Sequence, residues 1–104
     1  MKHRTSLVAF GLLASVLAAP AQAQTPAEFY KGKTIRLIVP AAAGDSYDTE
    51  GRLIARHLSK YIPGSPTIVP ENMPGASGRN AASYIANVAP KDGTVLALVQ
   101  QSVV

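Results

Sequence analysis

The sequence contains no cysteine and no tryptophan, and only 6% of its residues are aromatic and 15% charged. Without cysteine there is no disulfide, no thiolate ligand for a metal and no attachment point for a lipid anchor, so packing alone must hold the fold. The charges are scattered, which argues against the basic, aromatic-lined surface of a nucleic-acid-binding protein. What is present is a 47% apolar content over 104 residues, which indicates one small globular domain.

The first 23 residues have the three-part layout of a secretory signal. Basic residues at positions 2 to 4 precede an apolar stretch over 7–19, and the triplet Ala21-Gln22-Ala23 follows. We expect a signal peptide over 1–23, cleaved after Ala23, and a periplasmic product. The alternative is a retained transmembrane helix, but so short a stretch does not span a hydrocarbon core about 30 Å thick. Cleavage removes Lys2 and Arg4 and lowers the net charge from +4 to +2, so nucleic acid is a poor partner.

After the signal, β-branched apolar runs alternate with segments of helical period. The pattern predicts a leader segment over 24–33, strands over 34–39, 67–69 and 94–99, and helices over 46–61 and 77–89. This βαβαβ order favours an α/β fold with a parallel sheet and one helix on each face.

Particular residues have predicted places in these elements. Asp48 and Arg52 form a favourable i, i+4 pair on the first helix. We expect Tyr61 and Val88 on the apolar faces of the two helices. We also expect Pro70 to end the second strand, Ser77 to cap the second helix, and the third strand, over 94–99, to be buried.

Glycine-containing loops follow the first two predicted strands: residues 41–48 read AAAGDSYD, and residues 71–78 read ENMPGASG. The ends of parallel strands lie at one edge of the sheet, where open α/β sheets bind ligands. Both loops run into helix N-termini, whose unpaired N–H groups attract anions, and glycine lacks a Cβ that would keep a ligand away. The two loops together therefore predict a cradle of main-chain amides for a carboxylate, although each loop alone is more typical of an ordinary turn.

Two carboxylates in the first loop have alternative interpretations. Asp45 and Asp48 either contact an amine or hydroxyl group of a ligand or cap the helix that follows. For Asp48 the cap is the favoured interpretation.

Motifs of common catalytic and cofactor sites are missing. There is no GxxxxGK[ST] and no GxGxxG, so neither nucleotide-binding fingerprint is met. Ser46 and Ser77 have no neighbouring histidine, and the only histidine after the signal is His57. No cluster of residues has metal-ligand spacing. We predict no catalytic residue, no cofactor and no metal site, and keep as an alternative a small exported, hydrolase-like enzyme that uses Ser46 or Asp48.

The chain resembles the amino-terminal part of the periplasmic solute receptors of tripartite tricarboxylate transporters, the Bug family. The resemblance runs from about Lys33 to Leu98, and its most specific parts are the VP that ends the first strand, Gly44-x-x-x-Asp48, IPGSPTIVPENMPGA and NVAPKDGT. It implies a two-lobed fold, like that of periplasmic binding proteins, that closes on a small organic acid and delivers it to membrane permease subunits.

The resemblance also implies that the loops after the first two strands hold the ligand carboxylate. The implied ligand-binding residues are Ala43, Gly44, Asp45, Ser46, Asp48, Pro74, Gly75, Ala76 and Ser77. The chain departs from the family's common pattern at Asp45, whose charge would repel a carboxylate or select an amine or hydroxyl. It departs again at Ser77 and Gly78, which exchange a glycine and a serine.

Receptors of this family continue through a second lobe, so we expect residues 34–104 to be a partial first lobe and the gene product to be truncated. A hinged receptor buries its ligand between two lobes. One lobe alone is therefore expected to bind weakly or not at all. A nonfunctional gene fragment is the remaining alternative.

Overall fold

The computed structural model describes residues 20–103, which form a three-stranded sheet flanked by helices. The strands are β1 (Thr34–Val39), β2 (Thr67–Asn72) and β3 (Val95–Ala97); the helices are α1 (Pro26–Tyr30), α2 (Ser46–Leu58) and α3 (Arg79–Asn87); 3₁₀ turns occupy Ser59–Tyr61, Ala76–Gly78 and Gln101–Val103. β1 pairs in parallel with both other strands, in the order β2-β1-β3. The predicted α/β fold with a parallel sheet is confirmed. The apolar stretch of the predicted signal peptide lies outside the described residues, and no helix within 20–103 could cross a membrane.

β1 is the central strand and supplies core residues to both faces of the sheet. Ile35 and Leu37 are almost fully buried and pack against α2. Side chains alternate along a strand, so Arg36 lies on the opposite face, where it donates a hydrogen bond of 2.8 Å to the hydroxyl of Tyr84 on α3. The predicted arrangement of one helix on each face is therefore confirmed. Burial of each large aliphatic side chain contributes roughly 1.5–3 kcal/mol.

Arg36 also links β1 to β2 through a bidentate ion pair with Glu71. Its Nε and Nη2 lie 2.8 Å from the two carboxylate oxygens of Glu71. These charge-assisted hydrogen bonds lower the pKa of the Glu71 carboxyl and raise that of Arg36. The guanidinium thus links two strands and a helix through one side chain.

The prediction that Pro70 ends the second strand is wrong, because β2 continues through it to Asn72. Thr67 and Met73 donate their N–H groups to the carbonyls of Lys33 and Val39. Main-chain nitrogens point alternately to the two sides of a strand. Those of Thr67 and Met73 point towards β1, so that of Pro70, three positions from each, points to the outer edge of the sheet. A proline there costs no hydrogen bond of the ladder.

β3 forms the other edge of the sheet, and it is shorter and more exposed than predicted. The carbonyl of Thr94 and the N–H of Leu98 bond to β1, so the N–H and C=O groups of the intervening Val95 and Ala97 face outward. Within residues 20–103 no strand pairs with that edge. Val99, just beyond β3, is 59% exposed.

Two apolar residues predicted on buried helix faces are exposed instead. Tyr61 is 73% exposed because α2 ends at Leu58, and a 3₁₀ turn then changes the side-chain period. Val88 is 69% exposed because it is the C-cap of α3, with φ −120°. Both errors come from extending the helical period past the end of the helix.

The leader segment contains a helix that was not predicted. α1 is stabilised by a capping box, in which Thr25 and Glu28 accept hydrogen bonds from each other's main-chain N–H groups. Tyr30, its last residue, packs against the core and donates a hydrogen bond to the carbonyl of Gly93. α1 is thereby attached to the turn before β3.

Candidate functional site

The carboxyl ends of the three strands bring three loops to one edge of the sheet. We call this edge the rim; it comprises residues 40–48, 73–78 and 98–103. Ser102 Oγ donates to the carbonyl of Ser77 at 3.0 Å, and the N–H of Gln101 donates to the hydroxyl of Tyr47 at 3.3 Å. The segment after β3 therefore contacts both the loop after β2 and the start of α2.

Asp48 is the centre of the polar contacts in the first loop. Only 4% exposed, it accepts hydrogen bonds from the N–H of Gly44 at 2.9 Å, from Arg52 Nε at 3.0 Å and from Asn72 Nδ2 at 2.8 Å. These bonds, led by that from Gly44, lower the pKa of the Asp48 carboxyl to about 2. The predicted pair with Arg52 is confirmed.

Asp45 is the N-cap of α2, so the favoured interpretation of Asp48 as the cap is wrong: Asp48 lies within the first turn of the helix. The Asp45 carboxylate accepts from the N–H of Ser46 at 2.7 Å and lies 3.4 Å from the Ser46 hydroxyl. The main-chain N–H groups of Gly44 and Ser46 are therefore already bonded to the carboxylates of Asp48 and Asp45. Around Asp45 and Ser46, which are exposed, the polar atoms at the surface are mainly carboxylate and hydroxyl oxygens.

The main-chain N–H groups of the second loop differ from those of the first in having no protein partner within residues 20–103. In the described part of the chain, no hydrogen bond uses the N–H of Gly75, Ala76 or Ser77, and all three residues are exposed. Each of these residues and the following Gly78 has a positive φ, between 49° and 118°. This conformation is costly for alanine and serine, and such strain is concentrated at functional sites.

The prediction that Ser77 caps the second helix is wrong. Ser77 has φ 54° and ψ 42°, and the N-cap of α3 is Gly78, with no hydrogen bond from a capping side chain. The left-handed turn at residues 75–78 places the helix start one residue later. Glycine is suited to that position because its φ is 87°.

The predicted site residues lie on two loops of the rim. All but one are exposed, and the exception is the buried Asp48; the exposed residues are Ala43, Gly44, Asp45, Ser46, Pro74, Gly75, Ala76 and Ser77. A Cβ added at Gly44 would meet nothing within 4 Å, so the space above it is open. At Gly75 an added Cβ would instead collide with the side-chain amide of Asn80.

Sequence reasoning missed Asn72, which connects the two loops. Its Nδ2 donates to the carbonyl of Ala41 at 2.9 Å as well as to Asp48. The only signal in the sequence was an asparagine at the end of an apolar strand, which is equally typical of a turn.

A cavity of about 170 Å³ extends from the rim between α3 and β3. Its lining is almost entirely aliphatic and includes Ala82, Ile85 and Val99. Gly78 of the second loop also lines it, but an aliphatic lining does not suit a carboxylate. Within residues 20–103, no group of three or more histidine, aspartate or glutamate side chains is arranged to hold a metal ion.

Comparison with known proteins gives relatives over most of the chain. It is 35% identical to a UPF0065 protein of Bordetella bronchiseptica over 85 residues, which cover 82% of this chain and 25% of that protein. It is 39% identical to the UPF0065 protein of the gbd 5' region of Cupriavidus necator over 100 residues, 96% of this chain and 29% of that protein. A UPF0065 protein of Agrobacterium vitis is 41% identical over 91 residues, 88% of this chain and 25% of that protein. The chain belongs to the UPF0065 family.

The UPF0065 family includes the Bug receptors, so the predicted family resemblance is confirmed. No family model matches the chain, and no solved structure matches it significantly. The chain spans between 25% and 29% of the length of these curated relatives.

Proposed function

We propose that the protein is a solute-binding receptor, not an enzyme, and that it captures a small organic acid in the periplasm for the permease subunits of a tripartite tricarboxylate transporter. The observation that carries the proposal is the meeting of two loops at the rim of a UPF0065 protein, one of them with three main-chain N–H groups that have no hydrogen-bond partner among residues 20–103. The proposed site comprises the nine residues predicted from the resemblance, of which the buried Asp48 supports the first loop and the other eight are exposed.

In this proposal the second loop binds the carboxylate. Gly75, Ala76 and Ser77 are exposed residues, and no protein acceptor uses their N–H groups within residues 20–103. A well-formed hydrogen bond from such a group to a carboxylate contributes about 1.5–3 kcal/mol. The strained backbone keeps these amides in place before the ligand arrives, which reduces the entropy lost on binding.

The first loop has a different role in the same proposal. Asp45 and Ser46 present oxygen atoms at the mouth of the site, and Gly44 leaves open space beside them. A second carboxylate would be repelled there, whereas a hydroxyl or ammonium group could donate to these oxygens. Asp48 does not contact the ligand in this proposal, because its oxygens already accept hydrogen bonds from the protein. Its bond from the Gly44 N–H instead fixes the conformation of the first loop. This division favours a ligand with a hydroxyl or amine next to its carboxylate.

Titration with malate, followed in ¹H–¹⁵N NMR spectra, tests the proposal and detects millimolar affinity. We expect the N–H resonances of residues 75–77 to shift in a saturable way. Succinate, which lacks only the hydroxyl group, should bind more weakly, and glycerol should cause no shift. Rim resonances that do not move with malate, succinate or citrate, in a protein whose spectrum is that of a folded chain, would refute the site assignment.

A further inference from the structure

The side chain of Asn72 joins the end of β2 to the loop that follows β1. Its Nδ2 donates at 2.9 Å to the carbonyl of Ala41 and at 2.8 Å to Asp48 Oδ1. Both partners are acceptors, so only one orientation of the amide is compatible with the contacts. The amide oxygen, 3.5 Å from Arg52 Nη2, faces a cation.

The contact with Asp48 extends to the main chain of the first loop. The other oxygen of Asp48 accepts the N–H of Gly44 at 2.9 Å. A continuous path therefore runs from the residue before the second loop, through the buried carboxylate, to the middle of the first loop. Ala41 and Gly44, which this path holds, lie on either side of the proposed site residue Ala43.

We propose that Asn72 is a positioning residue that sets the first loop of the rim relative to the second. Loss of its amide would leave the Ala41 carbonyl without this donor and Asp48 Oδ1 with only the longer bond from Arg52 Nε, at 3.2 Å, and would weaken the restraint on Gly44. The importance of the Asn72 contacts for ligand capture rests on the proposed function. The restraint that they place on the first loop is independent of that function and can be measured without any ligand.

A titration of the unmodified protein gives the first test. As the Asp48 carboxyl is protonated, we expect the side-chain NH₂ of Asn72 and the main-chain N–H of Gly44 to shift with the same midpoint. The groups that face this carboxyl are Arg52, Asn72 and Gly44. Independent midpoints, or an Asn72 side chain that does not respond, would overturn the proposal.

Substitution gives the second test, with a matched control in the other loop. Asn72→Ala should speed hydrogen exchange at the Gly44 N–H about tenfold or more while exchange in β1 is unchanged. Asn80→Ala is the control, because among residues 20–103 Asn80 Nδ2 donates only to the Pro74 carbonyl, at 3.3 Å, and its loss should leave exchange at Gly44 unchanged. Equal exchange at Gly44 in the unmodified protein and the Asn72→Ala variant would overturn the proposal.

Malate binding separates this inference from the proposed function. If both hold, Asn72→Ala also weakens malate binding about tenfold. If Gly44 responds but malate binds neither protein, the positioning role stands and the proposed function fails. If Asn72→Ala does not fold, the titration of the unmodified protein still decides the proposal.

Discussion

At position 48 a carboxylate lies almost fully buried in the first turn of α2 and accepts hydrogen bonds from three different segments. Part of this could be predicted from the sequence, because Arg52 is four residues further along the same helix. The bond from Asn72 could not, because it joins residues 24 positions apart whose proximity depends on the pairing of β1 with β2.

The depressed pKa of Asp48 predicts how stability changes in acid. Its folded-state pKa of about 2 is below the ordinary value of 3.8, so the unfolded chain binds more protons between these values. The contribution of Asp48 to stability is complete above about pH 4 and is lost as the pH falls through 2. Asp48→Asn should therefore lower the free energy of unfolding at pH 7, and the difference from the unmodified protein should narrow towards pH 2 in urea titrations. A difference that stays constant over that range would contradict this assignment.

Gly44 and Gly32 provide a matched pair for testing access to the rim. Both have positive φ, 88° and 72°, and at neither would an added Cβ meet an atom within 4 Å. Alanine at either position should therefore cost a similar stability, about 1–2 kcal/mol.

If malate binds at the rim, Gly44→Ala should weaken its binding about tenfold, because the methyl group enters the open space of the site. Gly32→Ala should leave binding unchanged, since Gly32 precedes β1 at the opposite end of the strand. Affinities measured by NMR titration would decide this, and equal weakening by both substitutions would show that strain, not access, is responsible.

The packing of α2 on β1 depends on a glycine within the helix. A Cβ at Gly51 would lie 2.6 Å from Cγ2 of Val39, a fully buried side chain with little rotamer freedom. The helix can approach the strand this closely only because residue 51 has no side chain.

Gly51→Ala is therefore expected to destabilise the protein, although alanine is the better helix former. The gain in helix propensity is about 1 kcal/mol, and the cost of overpacking is about 1–3 kcal/mol. In a Val39→Ala background the overlap is removed, so the same substitution should become stabilising by up to about 1 kcal/mol. Urea denaturation of the four proteins of this cycle would measure the change of sign. Additive effects would contradict it.

The N-termini of α3 and α2 differ in whether a side chain caps them. Ser77 makes no capping hydrogen bond, so Ser77→Ala should change the free energy of unfolding by less than about 0.5 kcal/mol. Asp45 does cap α2, and Asp45→Ala should cost about 1 kcal/mol. Thermal denaturation of both variants compares them directly. A similar loss for both would mean that Ser77 acts as a cap in solution.

Existence and order of the elements could be predicted because each apolar run has a clear period. Their ends could not, because local conformation decides them. Pro70 is tolerated within β2 only because its nitrogen faces the outer edge, which requires knowledge of the sheet order. α1 was missed although Thr25 and Glu28 have the spacing of a capping box, because the helix has only five residues.

Across the whole described structure the two edges of the sheet differ. The edge at β2 contains Pro70, which cannot donate to an added strand. The edge at β3 contains neither a proline nor a charge from Thr94 to Val99, and it borders the aliphatic cavity.

We expect the protein to self-associate through the β3 edge at high concentration, because such an edge is a template for an additional strand. Val99→Lys should shift sedimentation profiles towards the monomer, while the same exchange at Val69, a 45% exposed residue of β2, should not. If both substitutions have the same effect, net charge rather than the β3 edge controls association.

The uncharged strand at this edge also affects the kind of aggregate that forms during prolonged storage. A segment of high β propensity with no gatekeeper residue favours ordered fibres over loose precipitates once molecules begin to stack. Material lost during prolonged storage should therefore bind thioflavin T and show the 4.7–4.8 Å fibre reflection, whereas Val99→Lys should delay its appearance.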